Sequence, residues 1–159
     1  MKKNIWKYSP PCNDSTPHEL HIPEGITGID SGCFAGHTQL KMINLPDSLR
    51  DIGVGAFEGC TSLEAISLPE GITRLRKSTF CGCHSLREVI LPKTLSGIGE
   101  WAFRDCRSLK RIMIPAGVTD ICAEVFLGDD GLVIAGEPGS YAEKYAQEFH
   151  FLFESVMLS

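Results

Sequence analysis

The 159-residue chain lacks several features that define large classes of proteins. It has no apolar stretch of the roughly 18 residues that a transmembrane helix needs. It has no basic excess: 15 Lys and Arg stand against 20 Asp and Glu, and the formal charge of −5 argues against a nucleic-acid or anionic-membrane binder. Seven cysteines are too few for a disulfide-dense miniprotein. The length and the 43% hydrophobic content suit one domain with a sizeable core.

The first residues also lack a recognisable secretory signal. Lys2 and Lys3 make a basic start, but Lys7 and the Pro10-Pro11 pair interrupt the chain before an apolar run can form. A secretory signal needs such a run directly after its basic region. The sequence therefore favours a cytosolic protein, unless a signal was removed from a longer precursor.

What the chain does contain is a repeat of 23 residues without insertions. The columns are Pro23, Pro46, Pro69, Pro92 and Pro115; Phe34, Phe57, Phe80, Phe103 and Phe126; and Leu40, Leu63, Leu86, Leu109 and Leu132. Two further apolar columns are Ile29, Ile52, Leu75, Ile98 and Ile121, and Leu20, Ile43, Ile66, Val89 and Ile112. The period predicts five repeats over residues 17–131, an N-terminal extension or cap over 1–16, and a C-terminal cap over 132–159.

Each repeat predicts a short strand followed by a single turn of helix. The segment from Leu63 to Leu68 is β-prone, and Pro69 ends it because proline has no N–H for a strand ladder. The stretch from Gly53 to Gly59 predicts one α-helical or 3₁₀ turn, with Gly59 in the left-handed conformation that ends such a turn. Because one unit cannot bury its own apolar side, we expect an α/β solenoid of stacked parallel strands with the Phe column at its centre.

These motifs resemble a known family. The run Ile43-x-Leu45-Pro46, followed by Ile52-Gly53-x-x-Ala56-Phe57-x-x-Cys60-x-x-Leu63, is similar to the BspA-type leucine-rich repeat. The tail from Gly139 to Ala146 resembles the segment that often closes such arrays. The resemblance implies a right-handed solenoid without catalytic residues and, commonly, a bacterial cell-surface or host-interaction role.

The C-terminal residues predict a cap made of a helix and a strand. Ser140 and Glu143 have the spacing of a capping box, which favours a helix over about 140–149. The residues 151–156 then read as a short strand. We expect both to pack on the last repeat, because the end of a stack would otherwise expose its core. At the other end, Trp6 and Tyr8 belong to a segment that either caps the first repeat or frays.

One column is half polar, and it leaves three interpretations open. It contains Cys60, Cys83 and Cys106, with His37 and Asp129 at its two ends. We expect a ladder of small buried side chains, because free cysteine packs as a small hydrophobe. Disulfides between repeats are the second interpretation, since the spacing of neighbouring strands is within reach of a bridge. The third is a zinc site in the Cys81–His84 segment, although its one-residue Cys spacing is poor for zinc.

No enzyme motif is present in the sequence. The five histidines are scattered, and none lies beside a Ser or Cys in a nucleophile motif. No phosphate-binding loop, dinucleotide fingerprint or H-E-x-x-H motif occurs. The sequence therefore predicts a non-enzymatic protein with no catalytic residues, no metal site and no cofactor.

The residues that project outward from the strands carry the candidate binding face. Ile90 and Met113 are neighbours in one outward column, and arginines flank them. An apolar pair rimmed by Arg is typical of the centre of a protein interface. Trp101 is added because its column otherwise holds Gly, Ser or Glu. The candidate protein-binding face comprises Arg87, Ile90, Trp101, Lys110, Arg111 and Met113.

Together these observations predict a protein–protein interaction module. The resemblance favours an adhesin-like protein at the cell surface, and the cysteines with the absent signal favour an intracellular scaffold or a structural spacer that binds a cytosolic partner. The expected partner is a protein or peptide, with no nucleic acid and no membrane insertion. We expect a monomer.

Overall fold

In the computed structural model of the protein, residues 4–6 and 17–157 are described. They form thirteen short strands and one helix. In chain order these are β1 Ile5–Trp6, β2 Glu19–His21, β3 Gly28–Ile29, β4 Met42–Asn44, β5 Asp51–Ile52, β6 Ala65–Ser67, β7 Arg74–Leu75, β8 Glu88–Ile90, β9 Gly97–Ile98, β10 Arg111–Met113, β11 Asp120–Ile121, β12 Val133–Gly136, α1 Tyr141–Glu148 and β13 Leu152–Ser155. This is the predicted solenoid of parallel strands.

The first strand of each repeat forms the strand face, on which Ile90, Arg111 and Met113 of the candidate binding residues lie. The middle residue of each strand is an apolar residue that points inward, as in β6, where Ile66 is buried and Ser67 is exposed. Ile66 stands opposite Val89, its counterpart 23 residues later, so the parallel register keeps each column of the repeat in line. The strands order as β2-β4-β6-β8 in one sheet and β10-β12-β13 in a second. Each strand is three residues long in the repeats, shorter than the predicted six-residue segment.

A second strand in each repeat was not predicted from the sequence. Strands of two residues contain the column Ile29, Ile52, Leu75, Ile98 and Ile121. They pair in parallel in the orders β1-β3-β5 and β7-β9-β11. Two-residue strands carry no alternation of apolar and polar residues, which is why the sequence pattern shows only a buried column here.

The turn segment of each repeat divides its hydrogen bonds between its own repeat and the next one. Inside the repeat, the N–H of Ala56 donates to the carbonyl of Gly53 at 3.3 Å, which is the i to i+3 spacing of a 3₁₀ turn. In between, the N–H of Phe57 donates to the carbonyl of Thr79 in the next repeat at 3.0 Å. The chain ends this turn in the left-handed conformation at Gly59, with φ of 71°, as predicted. The turns therefore join neighbouring repeats by backbone hydrogen bonds, as the strands do.

The Phe column is the centre of the core, as predicted. The rings of Phe34, Phe57, Phe80, Phe103 and Phe126 are the largest fully or almost fully buried side chains. Neighbouring rings are stacked with centroids 5.4–5.7 Å apart and planes within 14° of parallel. The edge of His37 meets Phe34 at one end of the stack, and Tyr145 and Phe151 meet Phe126 edge-on at the other. Histidine and the cap therefore finish the same aromatic ladder.

The C-terminal cap has the predicted helix and strand. Helix α1 begins after Ser140, whose hydroxyl accepts the N–H of Glu143 at 3.4 Å, and the Glu143 carboxylate accepts the N–H of Gly139 at 2.6 Å. Tyr145 is buried on the last repeat, and its hydroxyl donates to the carbonyl of Ala123 at 3.0 Å. Strand β13 then extends the sheet of β12. In the predicted 1–16 cap, β1 pairs with β3, and residues 1–3 and 7–16, including Tyr8, lie outside the described residues.

Candidate protein-interaction face

The predicted face has its centre where two neighbouring strands, β8 and β10, are in contact without being paired. The strand ladder runs from β2 to β8 and starts again at β10. A groove of about 460 Å³ follows this discontinuity. Its lining residues are Arg87, Glu88, Val89, Ile90, Leu91, Arg111 and Met113. Four of the six predicted face residues therefore line one groove: Arg87, Ile90, Arg111 and Met113.

Ile90 is the exposed apolar residue of this groove. Its side chain leaves β8 on the outer face and is 53% exposed, while Met113 on β10 is half-buried beside it. Val89, between the two outward positions of β8, points into the core and is 7% exposed. The alternation of the strand thus fixes Ile90 outward as firmly as it fixes Val89 inward.

Both arginines of the groove are already paired within the chain. Arg87 Nη2 lies 2.7 Å from Glu64 Oε2. Arg111 makes two bonds to Glu154 on β13, from Nε to Oε2 at 2.9 Å and from Nη2 to Oε1 at 3.1 Å. The hydrogen bonds from Arg111 hold the pKa of the Glu154 carboxyl below its usual range. The rim of the groove therefore presents paired charges, and the sequence alone does not reveal the Arg111–Glu154 pair because its members are 43 residues apart.

Two of the predicted residues lie apart from the groove lining. Lys110 is exposed, and its Nζ donates to the carbonyl of Asp130 at 3.0 Å. Trp101 lies in a turn segment with φ of 59°, and its Nε1 donates to Glu124 Oε2 at 2.6 Å. The Nζ of Lys77 lies 4.3 Å from the centre of the indole ring. These contacts of Trp101 are with turn segments, and none of the partners lines the groove.

A second groove, of about 560 Å³, lies on the face of the two-residue strands and was missed by the sequence analysis. Gly28 and Gly53 contribute bare backbone to it, while Ile5 and Val54 supply apolar side chains. Arg76 and Asp51 pair at its edge with 3.0 Å between Nη2 and Oδ1. Small residues in two adjacent repeats could have indicated this hollow, but only once the two-residue strands are known.

The cysteine column forms the predicted ladder of buried thiols. Cys60, Cys83 and Cys106 are buried, Cys81, Cys83, Cys106 and Cys122 are free thiols, and Cys12 lies outside the described residues. Burial raises the pKa of the Cys83 and Cys106 thiols well above its usual range, which keeps them protonated. Within residues 4–6 and 17–157, no three His, Cys, Asp or Glu side chains converge as metal ligands, and the Cys81–His84 segment supplies no zinc cluster. Over the same residues, no helix has the length and apolar character to cross a bilayer.

The comparisons agree with this architecture. The sequence profile of the BspA type leucine-rich repeat region matches residues 12–132 in six copies. A leucine-rich repeat protein from Bacteroides ovatus is 33% identical with a TM-score of 0.71, over 76% of this chain and 33% of that one. The T. pallidum leucine-rich repeat protein is 32% identical with a TM-score of 0.70, over 74% and 57%.

A third solved structure, the pneumococcal vaccine antigen PcpA, shares the fold with a TM-score of 0.69 at 23% identity, over 86% of this chain and 35% of that one. The chain thus spans less than two thirds of each of these proteins. A search of curated protein sequences found no significant match. The 23-residue period, the two strands of each repeat and the profile match together show that the chain belongs to the BspA-type leucine-rich repeat family.

Proposed function

We propose that the protein is a non-enzymatic interaction module that binds a protein or peptide partner in the groove between β8 and β10. The observation that carries this proposal is Ile90, a large apolar side chain that is 53% exposed on the strand face. Met113 lies beside it, and Arg87 and Arg111 form the rim. Apolar centres with arginine at their edges are typical of protein interfaces, where a few such residues supply most of the binding free energy.

The paired state of the arginines supports a partner that is held by apolar contact more than by charge. Because Glu64 and Glu154 already neutralise Arg87 and Arg111, the groove offers little net positive charge. Charge on the rim of an interface acts mainly on the association rate. We therefore expect weak salt dependence of binding and a strong dependence on Ile90. Lys110 and Trp101, which lie outside the groove lining, are proposed as outlying members of the same interface.

The setting we propose is an adhesin-like or scaffold role. The family resemblance and the similarity to bacterial leucine-rich repeat proteins support the cell surface. One observation favours the alternative, an intracellular scaffold or structural spacer: Cys81, Cys83, Cys106 and Cys122 are free thiols, and free thiols are typical of reducing compartments. Protease treatment of intact source cells separates the two settings. Cleavage before lysis supports the surface role, and protection until lysis supports the intracellular one.

The binding proposal is tested with two matched variants on the same strand face. Ile90→Ser removes the exposed side chain of the groove, and Met42→Ser removes an exposed side chain of similar size that is 45% exposed two repeats away. Partners are captured from source extracts by the wild-type chain and measured by calorimetry against all three proteins. We expect Ile90→Ser to weaken binding at least tenfold and Met42→Ser to leave it unchanged. Equal binding by wild type and Ile90→Ser would remove the groove as the interface.

A further inference from the structure

The thiol ladder has a regular hydrogen-bond pattern. Each buried thiol donates to the carbonyl of the phenylalanine 26 residues before it: Cys60 to Phe34 at 3.1 Å, and Cys83 to Phe57 at 3.2 Å. Cys106 continues the series to Phe80 at 3.2 Å. A thiol can do this because it carries a proton, and each bond ties one repeat to the preceding one.

The next member of this column is an aspartate. Asp129 stands 26 residues after Phe103 in the sequence, so the register places its side chain opposite the carbonyl that continues the ladder. It is 3% exposed, and neither of its carboxyl oxygens has a hydrogen-bond partner among the described residues. An ionised carboxylate is only an acceptor, and it would face a carbonyl that is also only an acceptor. A buried charge without partners is strongly unfavourable.

We propose that Asp129 is held as the neutral acid, that its Oδ–H donates to the carbonyl of Phe103 as the thiols do in the earlier repeats, and that loss of this proton loosens the C-terminal cap. The backbone around Asp129 connects it to that cap. Its N–H donates to Phe126, and its carbonyl accepts the N–H of Leu132, the residue before β12. Strand β12 in turn carries both α1 and β13. The ladder thus ends in a group that can be switched by pH.

The charged groups around Asp129 do not reverse this assignment. Burial, together with the carboxylates of Asp105 and Asp130, raises the pKa of Asp129 to about 8. Lys110 and the nearby backbone N–H of Cys106, which donates to the carbonyl of Phe103 at 3.2 Å, act in the opposite direction and are outweighed. The Cys106 thiol beside it has a pKa raised well above the usual range and stays neutral. Among residues 4–6 and 17–157, no group facing Asp129 therefore supplies a paired positive charge at contact distance.

The sign of the pH dependence follows from proton linkage. In the unfolded chain an aspartate titrates near pH 4, so between about pH 4 and about pH 8 the folded chain holds one proton more than the unfolded chain. Unfolding then releases a proton, and the stabilising effect, complete at acid pH, is lost as the pH rises. The unfolding equilibrium constant increases by up to about tenfold for each pH unit in this window.

The test compares two adjacent aspartates. Asp129→Asn keeps the shape and a donor but cannot ionise, and Asp130→Asn makes the same change at an exposed neighbour. Denaturant unfolding from pH 5 to pH 9 gives the equilibrium constant for both variants and for the wild type. We expect the wild type and Asp130→Asn to lose stability relative to Asp129→Asn as the pH rises, with the ratio changing at least tenfold across the range. Parallel profiles for all three proteins would overturn the proposal.

A measurement on the unmodified chain keeps the proposal testable if Asp129→Asn does not fold. The side-chain carboxyl carbon of Asp129, followed by NMR, reports its protonation directly, and we expect a midpoint far above that of an ordinary aspartate. A midpoint near pH 4 would contradict the neutral acid. Hydrogen exchange tests whether loss of the Asp129 proton loosens the C-terminal cap. Above the midpoint, protection factors should fall in α1 and β13 and remain unchanged in β4 and β6. A uniform change along the array would contradict the link to the cap.

Discussion

The inside and the outside of each repeat follow opposite rules. The buried Phe column contains the same residue in all five repeats, and its rings stack at nearly constant spacing. An outward column at the start of the strand face changes in type and charge along the chain, from His18 through Glu64 to Lys110. Uniform contacts inside make the stack regular, and because that regularity does not depend on the outward side chains, they are available for recognition. The buried column therefore supplies stability, and the outward positions are free to vary for specificity.

Removing one ring from the Phe stack should have the largest effect on stability. Phe80→Ala takes out a fully buried ring that contacts Phe57 on one side and Phe103 on the other. We expect a loss of about 3–5 kcal/mol in the free energy of unfolding, measured in denaturant. Ile90→Ala is the control on the outer face and should change it by less than about 0.5 kcal/mol. Similar losses for both variants would mean that the inner and outer positions do not differ as described.

Two glycines differ in what a Cβ atom would meet: backbone of the preceding repeat at Gly53, and a flexible side chain at Gly97. A Cβ on Gly53 would lie 2.3 Å from the backbone nitrogen of Ser31 in the preceding repeat, whereas a Cβ on Gly97 would meet only the end of the Arg74 side chain, at 2.5 Å. We expect Gly53→Ala to destabilise the fold by about 1–3 kcal/mol, because the repeats must move apart. Arg74 can swing away, so Gly97→Ala should cost less than about 1 kcal/mol. Thermal unfolding of both variants measures the two losses of stability. A larger loss for Gly97→Ala than for Gly53→Ala would contradict the prediction.

Two cysteines one residue apart provide the next test. Cys83 is buried and its thiol donates to Phe57, while Cys81 is half-buried at the side of the turn. We expect Cys83→Ala to lower the free energy of unfolding by about 1–2 kcal/mol through the lost contacts and hydrogen bond. The same change at Cys81 should be within about 0.5 kcal/mol of wild type. Equal effects in denaturant titrations would remove the thiol ladder as a source of stability.

The smallest effect is expected on the outer face, at the ion pair between β10 and β13. Glu154→Gln removes the charge that pairs with Arg111, and both side chains are about half exposed, at 49% and 47%. Exposed pairs contribute about 0–1 kcal/mol and are screened by salt. We expect a small loss of thermal stability at low ionic strength. The loss should disappear in 1 M salt, because the Debye length is then about 3 Å and exposed charges are screened. A loss that persists at high salt would show that the pair acts by packing.

The sequence pattern predicted the buried columns and the turns that repeat every 23 residues, and it missed the two-residue strands and the ion pairs between distant repeats. The Phe stack, the strand register, the left-handed Gly59 and the capped helix after Ser140 all follow from local chemistry or from neighbours 23 residues apart. The two-residue strands have too few residues for an alternation to be read. The Arg111–Glu154 pair spans 43 residues, and the pair between Arg74 and Asp120 spans 46, because Gly97 in the repeat between them has no side chain to block the arginine.

The 23-residue period also explains why part of the groove lining could be predicted from the sequence. Ile90 and Met113 lie side by side because the column brings counterparts of adjacent repeats together, and this required only the period. The discontinuity between β8 and β10 depends on hydrogen-bond geometry that no residue pattern records. Trp101 adopts the left-handed backbone conformation, which non-glycine residues rarely do. Its indole contacts Lys77 and Glu124, and the sequence pattern does not predict either contact.

The parallel pairing of the strands has a mechanical consequence. Hydrogen bonds between neighbouring repeats point along the length of the solenoid, so a force pulling its two ends apart acts directly on the bonds of one junction at a time. A repeat that advances the folded array by about 4.8 Å would release about 80 Å of extended chain when its 23 residues detach. The array would therefore behave under load as an extensible tether that lengthens in equal steps.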